Sequence, residues 1–442
     1  MKVSFVSLGC DKNLCDTEHM MSLLSKDGHE FVPEPEEAEI CVINTCCFIA
    51  DALEESINTI IEIGKLKETG SLKVLVIAGC LGQRFTDEVL SDLPEVDGIV
   101  GTNSYDEVVS VIHHALEGKK DIVKKDFLSL PKNNGRILSS FVPYSYLKIA
   151  EGCNKRCTYC VIPSIRGNYR SIPMEEIVSE AKDLALNGIK EINLVAQEVT
   201  VYGTDLYGKK SLPLLLEKLS EIEGIEWIRL LYCYPEEIDE DLILCMKNNP
   251  KVCHYIDMPI QHCNDGILGR MGRKTSKADI VEKIQLLREH IPDIAIRSTL
   301  ICGFPGETEE NHKELLDFVS EMKFDRLGAF SYSREEGTPA ATFENQVEDE
   351  TKEAWKNEVM ALQQKVSLSK NKSFVGKVIP CFVEGKLEEG AYVCRTYRDA
   401  PDVDGYIFVE SNKEFMSGDI ISVKVTGYQE YDLIGDYYEF TE

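Results

Sequence analysis

The sequence predicts an α/β protein in three parts: a parallel α/β domain at the N-terminus, a central partial (β/α)6 barrel, and a small antiparallel β-barrel at the C-terminus. Three observations carry this expectation. Short continuous apolar runs alternate with helical periodicity over residues 1–120, the pattern of a parallel sheet covered on both faces. Six further β–α units fill residues 140–345, too few for a closed eight-stranded barrel. From residue 372 the composition turns to β-branched and aromatic residues in short runs, as in a small barrel.

A chain of 442 residues is too long for one ordinary domain. Its 43% hydrophobic and 28% charged residues place it among soluble globular proteins. No run approaches the roughly 18 apolar residues that a membrane helix needs. The stretch from Val3 to Cys10 superficially resembles a lipoprotein cleavage box, but too few residues precede the cysteine. A signal peptide needs an apolar core of about 7–15 residues after a basic start. The expected location is cytoplasmic. In such a reducing compartment, 16 cysteines point to metal ligation rather than disulfides. Scattered ones such as Cys15, Cys41, Cys233, Cys245, Cys253, Cys302, Cys381 and Cys394 read as small buried hydrophobes.

In the first domain, expected strands at 3–8, 40–43, 74–78 and 99–100 alternate with helical stretches at 16–24, 52–63 and 105–116. Ligands of open α/β sheets bind beyond the carboxyl ends of the strands. Three of those ends carry a cysteine: Cys10 after Gly9, Cys46 after Thr45, and Cys80 after Gly79. One such cysteine reads as a small residue at a tight strand end. Three on successive strands point to a three-thiolate cluster. Cys47 stands beside Cys46, and successive strand residues face opposite sides, so Cys46 is taken as the ligand.

After a poorly patterned link at 131–135, strands are expected at 146–150, 192–196, 227–231, 255–258, 295–301 and 326–331, with helices such as 174–187 and 277–290 between them. The first of these strands leads into Cys153-Asn-Lys-Arg-Cys157-Thr-Tyr-Cys160. Three thiolates at these offsets can wrap one cubane iron–sulfur cluster. A structural zinc site would want a fourth ligand nearby, His or a second C-x2-C, and none follows. A fourth cysteine from elsewhere would complete an electron-transfer centre, whereas an open iron would bind substrate directly. At the strand ends lie Gln197 and Glu198, Gln261 and His262, with Arg297 and Ser298 inside the fifth strand. Their plain alternative is a capping or rim hydrogen bond. The Gly-rich turn at 302–309 is not a phosphate loop, because no Gly-Lys-Ser/Thr follows. His262 and Cys263 lack an orienting third group and read as structural. Arg166 and Arg170 place two cations after the cysteine run, to hold a carboxylate substrate or to pair with surface acids.

The cysteine run with Tyr159 resembles the radical S-adenosylmethionine (SAM) superfamily. That resemblance implies an open iron that chelates SAM and an electron that cleaves it to a 5′-deoxyadenosyl radical. It makes Tyr159, Gln197, Gln261, Arg297 and Gly303 candidate SAM contacts, the turn at Gly303 backing the adenine. With the second set, Cys10, Cys46 and Cys80, the chain resembles the methylthiotransferases, where Gly is usual at the place of Cys47. The implied cofactors are two [4Fe-4S] clusters, held by Cys10, Cys46, Cys80 and by Cys153, Cys157, Cys160, and SAM as both methyl donor and radical source. The stretches 7–13, 44–46, 149–153 and 162–167 look most like the branch that methylthiolates the β-carbon of an aspartate in small-subunit ribosomal protein uS12. An external donor such as flavodoxin or ferredoxin is the implied electron source. The expected domains are 1–120 with the auxiliary cluster, 140–345 with the SAM-cleaving cluster, a linker helix at 346–371, and a barrel at 372–442.

That last segment, with strands at 377–383, 391–394, 406–410 and 420–425, resembles a TRAM domain, a module that often binds RNA. Its charge speaks against RNA. From residue 373 onward six cations face fourteen acids, and the whole chain stands at −28. Phosphate binding wants a basic groove, whereas an acidic barrel attracts a basic protein. A tRNA adenosine methylthiotransferase is the nearest alternative, and a non-catalytic two-cluster protein for electron transfer or redox sensing the more distant one.

Overall fold

The computed structural model describes residues 1–439. Residues 440–442, which end the segment expected at 372–442 and include the last of its fourteen acids, lie outside the described residues. The chain forms two compact units. The first joins Met1–Phe141, Ala150–Glu180 and Glu335–Thr338; the second joins Val142–Ile149, Ala181–Arg334 and the chain from Pro339 onward.

The first unit is built on a six-stranded parallel sheet of β1 (Lys2–Ser7), β2 (Glu30–Phe31), β3 (Ile40–Thr45), β4 (Val74–Gly79), β5 (Gly98–Val100) and β6 (Asp121–Val123), in the order β2-β1-β3-β4-β5-β6. The central strands β3 and β4 are buried throughout. Their alternate residues feed two cores: Cys41, Ile43, Leu75 and Ile77 pack with Ile60 on one face. Ile40, Val42, Val74 and Val76 pack with Met20 and Ile112 on the other. The edge strands β2 and β6, of two and three residues, were not expected from the sequence. Strand order reverses between β1 and β3, and such a switch point opens a crevice at the carboxyl ends of the strands.

The second unit holds the open parallel sheet. Its strands are β7 (Tyr144–Lys148), then, past the short pair β8 (Ala150–Glu151) and β9 (Arg170–Ser171) of the first unit, β10 (Glu191–Val195), β11 (Trp227–Leu230), β12 (Val252–Asp257), β13 (Ala295–Cys302) and β14 (Arg326–Ser331). They lie in the order β14-β13-β12-β11-β10-β7, so the sheet is six-stranded and not closed. The helix Asp349–Lys372 follows.

A closed barrel then forms from β15 (Val378–Glu388), β16 (Ala391–Thr396), β17 (Ile407–Glu410), β18 (Ile420–Tyr428) and β19 (Leu433–Tyr437). It is antiparallel except for one parallel pair, β17 with β19. The sequence pattern missed β19, whose run Leu-Ile-Gly-Asp-Tyr is short and broken by Gly and Asp. Among the described residues no helix is long and apolar enough to cross a membrane.

Buried charge fastens the barrel to the sheet within this unit. Arg395 of β16 reaches Glu191 at the start of β10 at 2.5 Å and Glu384 at 2.7 Å. Arg229 of β11 meets the other Glu191 oxygen at 2.8 Å and lies over the Tyr255 ring. Arg326 pairs with Asp399, and Arg398 with Asp325 at 3.1 Å. Glu191, Arg229 and Arg395 are fully buried, so each charge persists only through its partners. Burial works to raise the Glu191 carboxyl, but Arg395 and Arg229 outweigh it and hold the group below the usual carboxylate range. Its stabilisation is therefore in place at neutral pH and is lost as pH falls into the acid range. Glu191→Gln leaves two buried guanidiniums without their shared acid, and denaturant unfolding at pH 7 should show a loss of about 3–5 kcal/mol.

Candidate active site

In the first unit, parallel register carries three strand ends to one rim. Ser7 pairs with Asn44, and Thr45 with Gly79, so the residues that follow each strand emerge together. Gly9 has φ +97, and a Cβ there would lie 2.8 Å from the Cys46 Cβ. Only glycine lets the Cys10 loop approach Cys46 this closely. Cys10 is exposed, while Cys46 and Cys80 are buried.

A hydrogen-bonded lattice holds this rim. The Asn13 amide donates to the carbonyls of Leu8 at 3.1 Å and Thr45 at 2.9 Å, the residues just ahead of Gly9 and Cys46. Asn44 donates to the Asn13 carbonyl at 2.7 Å. Ser56 accepts from the Cys46 amide at 3.1 Å and donates to the Cys46 carbonyl at 2.7 Å. The Thr45 hydroxyl donates to the Ala78 carbonyl at 2.6 Å. Cys47 is buried in the apolar cluster that also holds Ile43, Cys80, Leu81, Val161 and Ile165. Its carbonyl accepts from Arg84, which also pairs with Glu335.

The second set lies in the same unit. Gly152, at φ +77, precedes Cys153, and a Cβ there would lie 2.2 Å from the Asn168 carbonyl oxygen. The Cys153 amide donates to the Gly167 carbonyl at 3.1 Å, which closes the loop at its base. Cys153 and Cys157 are buried; Cys160 and Tyr159 are half-buried.

Both sets consist of thiols that feel one another's charge. Burial pushes the Cys46 and Cys80 thiols upward and takes Cys160 up to about 12. Such groups stay protonated thiols in water and become thiolates when a cation binds, releasing their protons. Three thiols near enough to feel one another's charge, one of them less buried than the other two, fit a cluster that keeps one iron open.

Arg166 and Arg170 take neither expected role. Arg166 is buried and paired with Asp16 and Glu151, which are themselves buried rather than at the surface. Arg170 donates to Asn103 at 3.0 Å and to the Ser129 carbonyl at 2.9 Å. Asp16 and Ser56 went unnoticed in the sequence, where each reads as an ordinary helix residue, and Asn13 and Glu151 entered only within the stretches 7–13 and 149–153, with no role of their own.

In the second unit, Gln197, Gln261 and Gly303 follow the carboxyl ends of β10, β12 and β13. Gln197 has both amide atoms buried without a hydrogen-bond partner. Asn193, on the same side of β10, is fully buried with both amide atoms likewise unpartnered. Orphaned buried polar atoms call for a ligand or water, and these two fit the polar groups of SAM. Gln261 sits at φ +69, its backbone bonded to Thr299 and Ile301. The Gly303 amide donates to Glu307 at 2.7 Å. Arg297 lies earlier on β13, its guanidinium held by Asp257 at 2.9 Å and Asp404 at 3.4 Å.

Comparison with known proteins agrees with this arrangement. Residues 2–101 match an uncharacterized protein family, UPF0004; residues 147–319 match the radical SAM superfamily; residues 375–437 match the TRAM domain. The chain is 54% identical over 438 residues to the ribosomal protein uS12 methylthiotransferase RimO of Lachnoclostridium phytofermentans, covering 98% of this chain and 99% of that protein. The chain belongs to the RimO family of radical SAM methylthiotransferases. Other RimO proteins, from Acetivibrio thermocellus at 50% and Clostridioides difficile at 45%, align over 98% and 99% of this chain and 98% of their own length. Among solved structures, the radical SAM methyltransferase TsrM of Kitasatospora setae superposes with a TM-score of 0.57 at 15% identity, covering 77% of this chain and 76% of that one. OxsB, a cobalamin-dependent radical SAM enzyme, gives 0.55 at 14%, over 83% of this chain and 56% of its own. At such identity these two speak for the fold alone. As RimO relatives, the family members work with [4Fe-4S] clusters and SAM, and the chain is an enzyme.

Thiol reactivity tests the contrast between rim and core. In iron-free protein at pH 8, Cys10 should alkylate fastest with iodoacetamide, while Cys47, pushed up to about 12 by burial, should remain largely unlabelled until denaturant is added. Peptide mass spectrometry reads both.

Proposed function

We propose that this RimO-family enzyme replaces a hydrogen on the β-carbon of an aspartate of ribosomal protein uS12 with a methylthio group. The observation that carries this is the pair of three-thiol sets within one unit of a chain that aligns end to end with proteins named for that reaction. In this reading Cys153, Cys157 and Cys160 hold the SAM-cleaving cluster, and Cys10, Cys46 and Cys80 hold the auxiliary one. The bound groups supply methyl transfer from one SAM and a carbon-centred radical from a second, because an unactivated C–H bond offers neither an acidic proton nor a leaving group.

The chain's own residues do the holding. Ser56, Asn13 and Thr45 fix the loops that present Cys10, Cys46 and Cys80. Gly152 and Gly167 draw the ends of the second loop together. Gln197 and Asn193 offer four unpartnered amide atoms, the donors and acceptors that a nucleoside or an amino acid moiety requires. Gln261, Gly303 and Arg297 are the further proposed SAM contacts of this second unit, the Arg297 guanidinium being held by Asp257 and Asp404.

The outer face of the C-terminal barrel favours a basic protein over RNA. Two of its six cations, Arg395 and Arg398, are buried in ion pairs, while Glu388, Glu389, Glu410 and Glu430 stand exposed. The carboxylates of Asp399 and Asp404 are buried as well, so the surface keeps the acidic excess of the sequence count, which would attract a basic protein and repel phosphate. The enzyme works in the cytoplasm with flavodoxin or ferredoxin as electron donor.

Two measurements test this. Mass spectrometry of uS12 and tRNA from matched cells with and without the gene should show loss of the methylthio mass from the uS12 aspartate alone; loss from tRNA instead would overturn the substrate. In the purified, anaerobically reconstituted enzyme, Cys46→Ala should lower bound iron by about half, whereas Cys47→Ala should leave it unchanged.

A further inference from the structure

Arg166 is the most deeply committed cation of the first unit. Its guanidinium is buried, and its two terminal nitrogens meet three side chains from two separate segments. One nitrogen lies 2.9 and 3.0 Å from the two oxygens of Glu151, and both lie 3.2 Å from Asp16 Oδ2. The other is 2.7 Å from Asn13 Oδ1. Glu151 stands two residues before Cys153, and Arg166 six residues after Cys160, so the fork spans the base of the second cysteine loop. Asn13 is the residue whose amide holds the Cys10 and Cys46 loops, and its Oδ1 is also 3.9 Å from the Cys10 sulfur. A single planar group therefore joins both loops through directional hydrogen bonds, which a flexible lysine could not reproduce.

Its charge, however, falls on the first set. Arg166 follows Cys160 in the chain, yet its guanidinium stands one hydrogen-bonded group away from the Cys10 sulfur, through Asn13 Oδ1 at 2.7 and 3.9 Å. Inside a protein a fixed charge is weakly screened. Cluster potentials respond to net local charge, hydrogen bonding and exposure. Glu151 and Asp16 both lie on the same guanidinium and offset it, so that removing Arg166 leaves two acids uncompensated.

The geometry points to Arg166 as a positioning residue with two effects: it ties the two cysteine loops together, and its positive charge raises the reduction potential of the cluster at Cys10, Cys46 and Cys80. This rests on the auxiliary-cluster reading above.

The test uses the full chain with Cys153, Cys157 and Cys160 replaced by Ala, reconstituted anaerobically and titrated by EPR-monitored potentiometry. Arg166→Gln should shift the midpoint potential downward, Arg166→Lys should leave it near the parent value, and Asp16→Asn should shift it upward. In the complementary chain, with Cys10, Cys46 and Cys80 replaced by Ala, the same Arg166→Gln should move the potential far less. Opposite signs for Arg166→Gln and Asp16→Asn are not what a loosened fold produces. Unchanged potentials in iron-replete Arg166→Gln, or equal shifts in both chains, would overturn the inference. If Arg166→Gln fails to hold iron, Asp16→Asn decides alone, since it keeps the bonds from Arg166 to Glu151 and Asn13; a downward or absent shift sinks the idea. A parent chain that binds no cluster would overturn the auxiliary site itself, and this inference with it.

Discussion

Parallel alignment of β1, β3 and β4 is the constraint on which the rest depends. Strands that run the same way all finish on the same side, so whatever follows them must meet there. The register that pairs Ser7 with Asn44 and Thr45 with Gly79 leaves no freedom in where Cys10, Cys46 and Cys80 emerge. The apolar cores on both faces of the sheet fix that register, because slipping a strand by one residue would turn its buried side chains outward. Hydrophobic packing far from the rim thus sets the geometry at the rim.

Burial then gives those thiols their chemistry. Removed from water, Cys46 and Cys80 are poor acids by themselves, and the same is true of Cys160 in the other set. A site of this kind discriminates by need: it ionises when a metal arrives and otherwise remains neutral. Cys47 shows the contrast. It is as shielded as its neighbour, but its surroundings are Ile43, Leu81 and Ile165, and it packs as a small hydrophobe.

Much of this was legible from the sequence because period and punctuation are local signals. Buried strands such as β3 and β4 read as unbroken apolar runs, and a cysteine directly after each strand marks the rim. What escaped was non-local. Arg166 looked like a cation for a substrate carboxylate or a surface acid, because nothing in its own neighbourhood announces Asp16, which arrives from a helix 150 residues earlier. The partners of Arg297 were hidden for the same reason, since Asp404 comes from the far side of the second unit's chain. The edge strands β2, β6 and β19 were too short, or too interrupted, for periodicity to register. The parallel pairing of β17 with β19 has no sequence signature, since side chains alternate identically in either direction.

The ionic floor between sheet and barrel bears on how such chains can be recombined. Glu191 and Arg229 belong to the central sheet, Arg395 and Glu384 to the barrel, yet none of these charges is tolerable without the others. A barrel grafted from a distant relative would bring its own side chains against an acid that expects a guanidinium. The C-terminal module is therefore not an interchangeable attachment. Lineages that trade it for one of different specificity must exchange residues on two strands of the catalytic sheet in the same step, which ties the inheritance of substrate preference to that of the sheet beneath it.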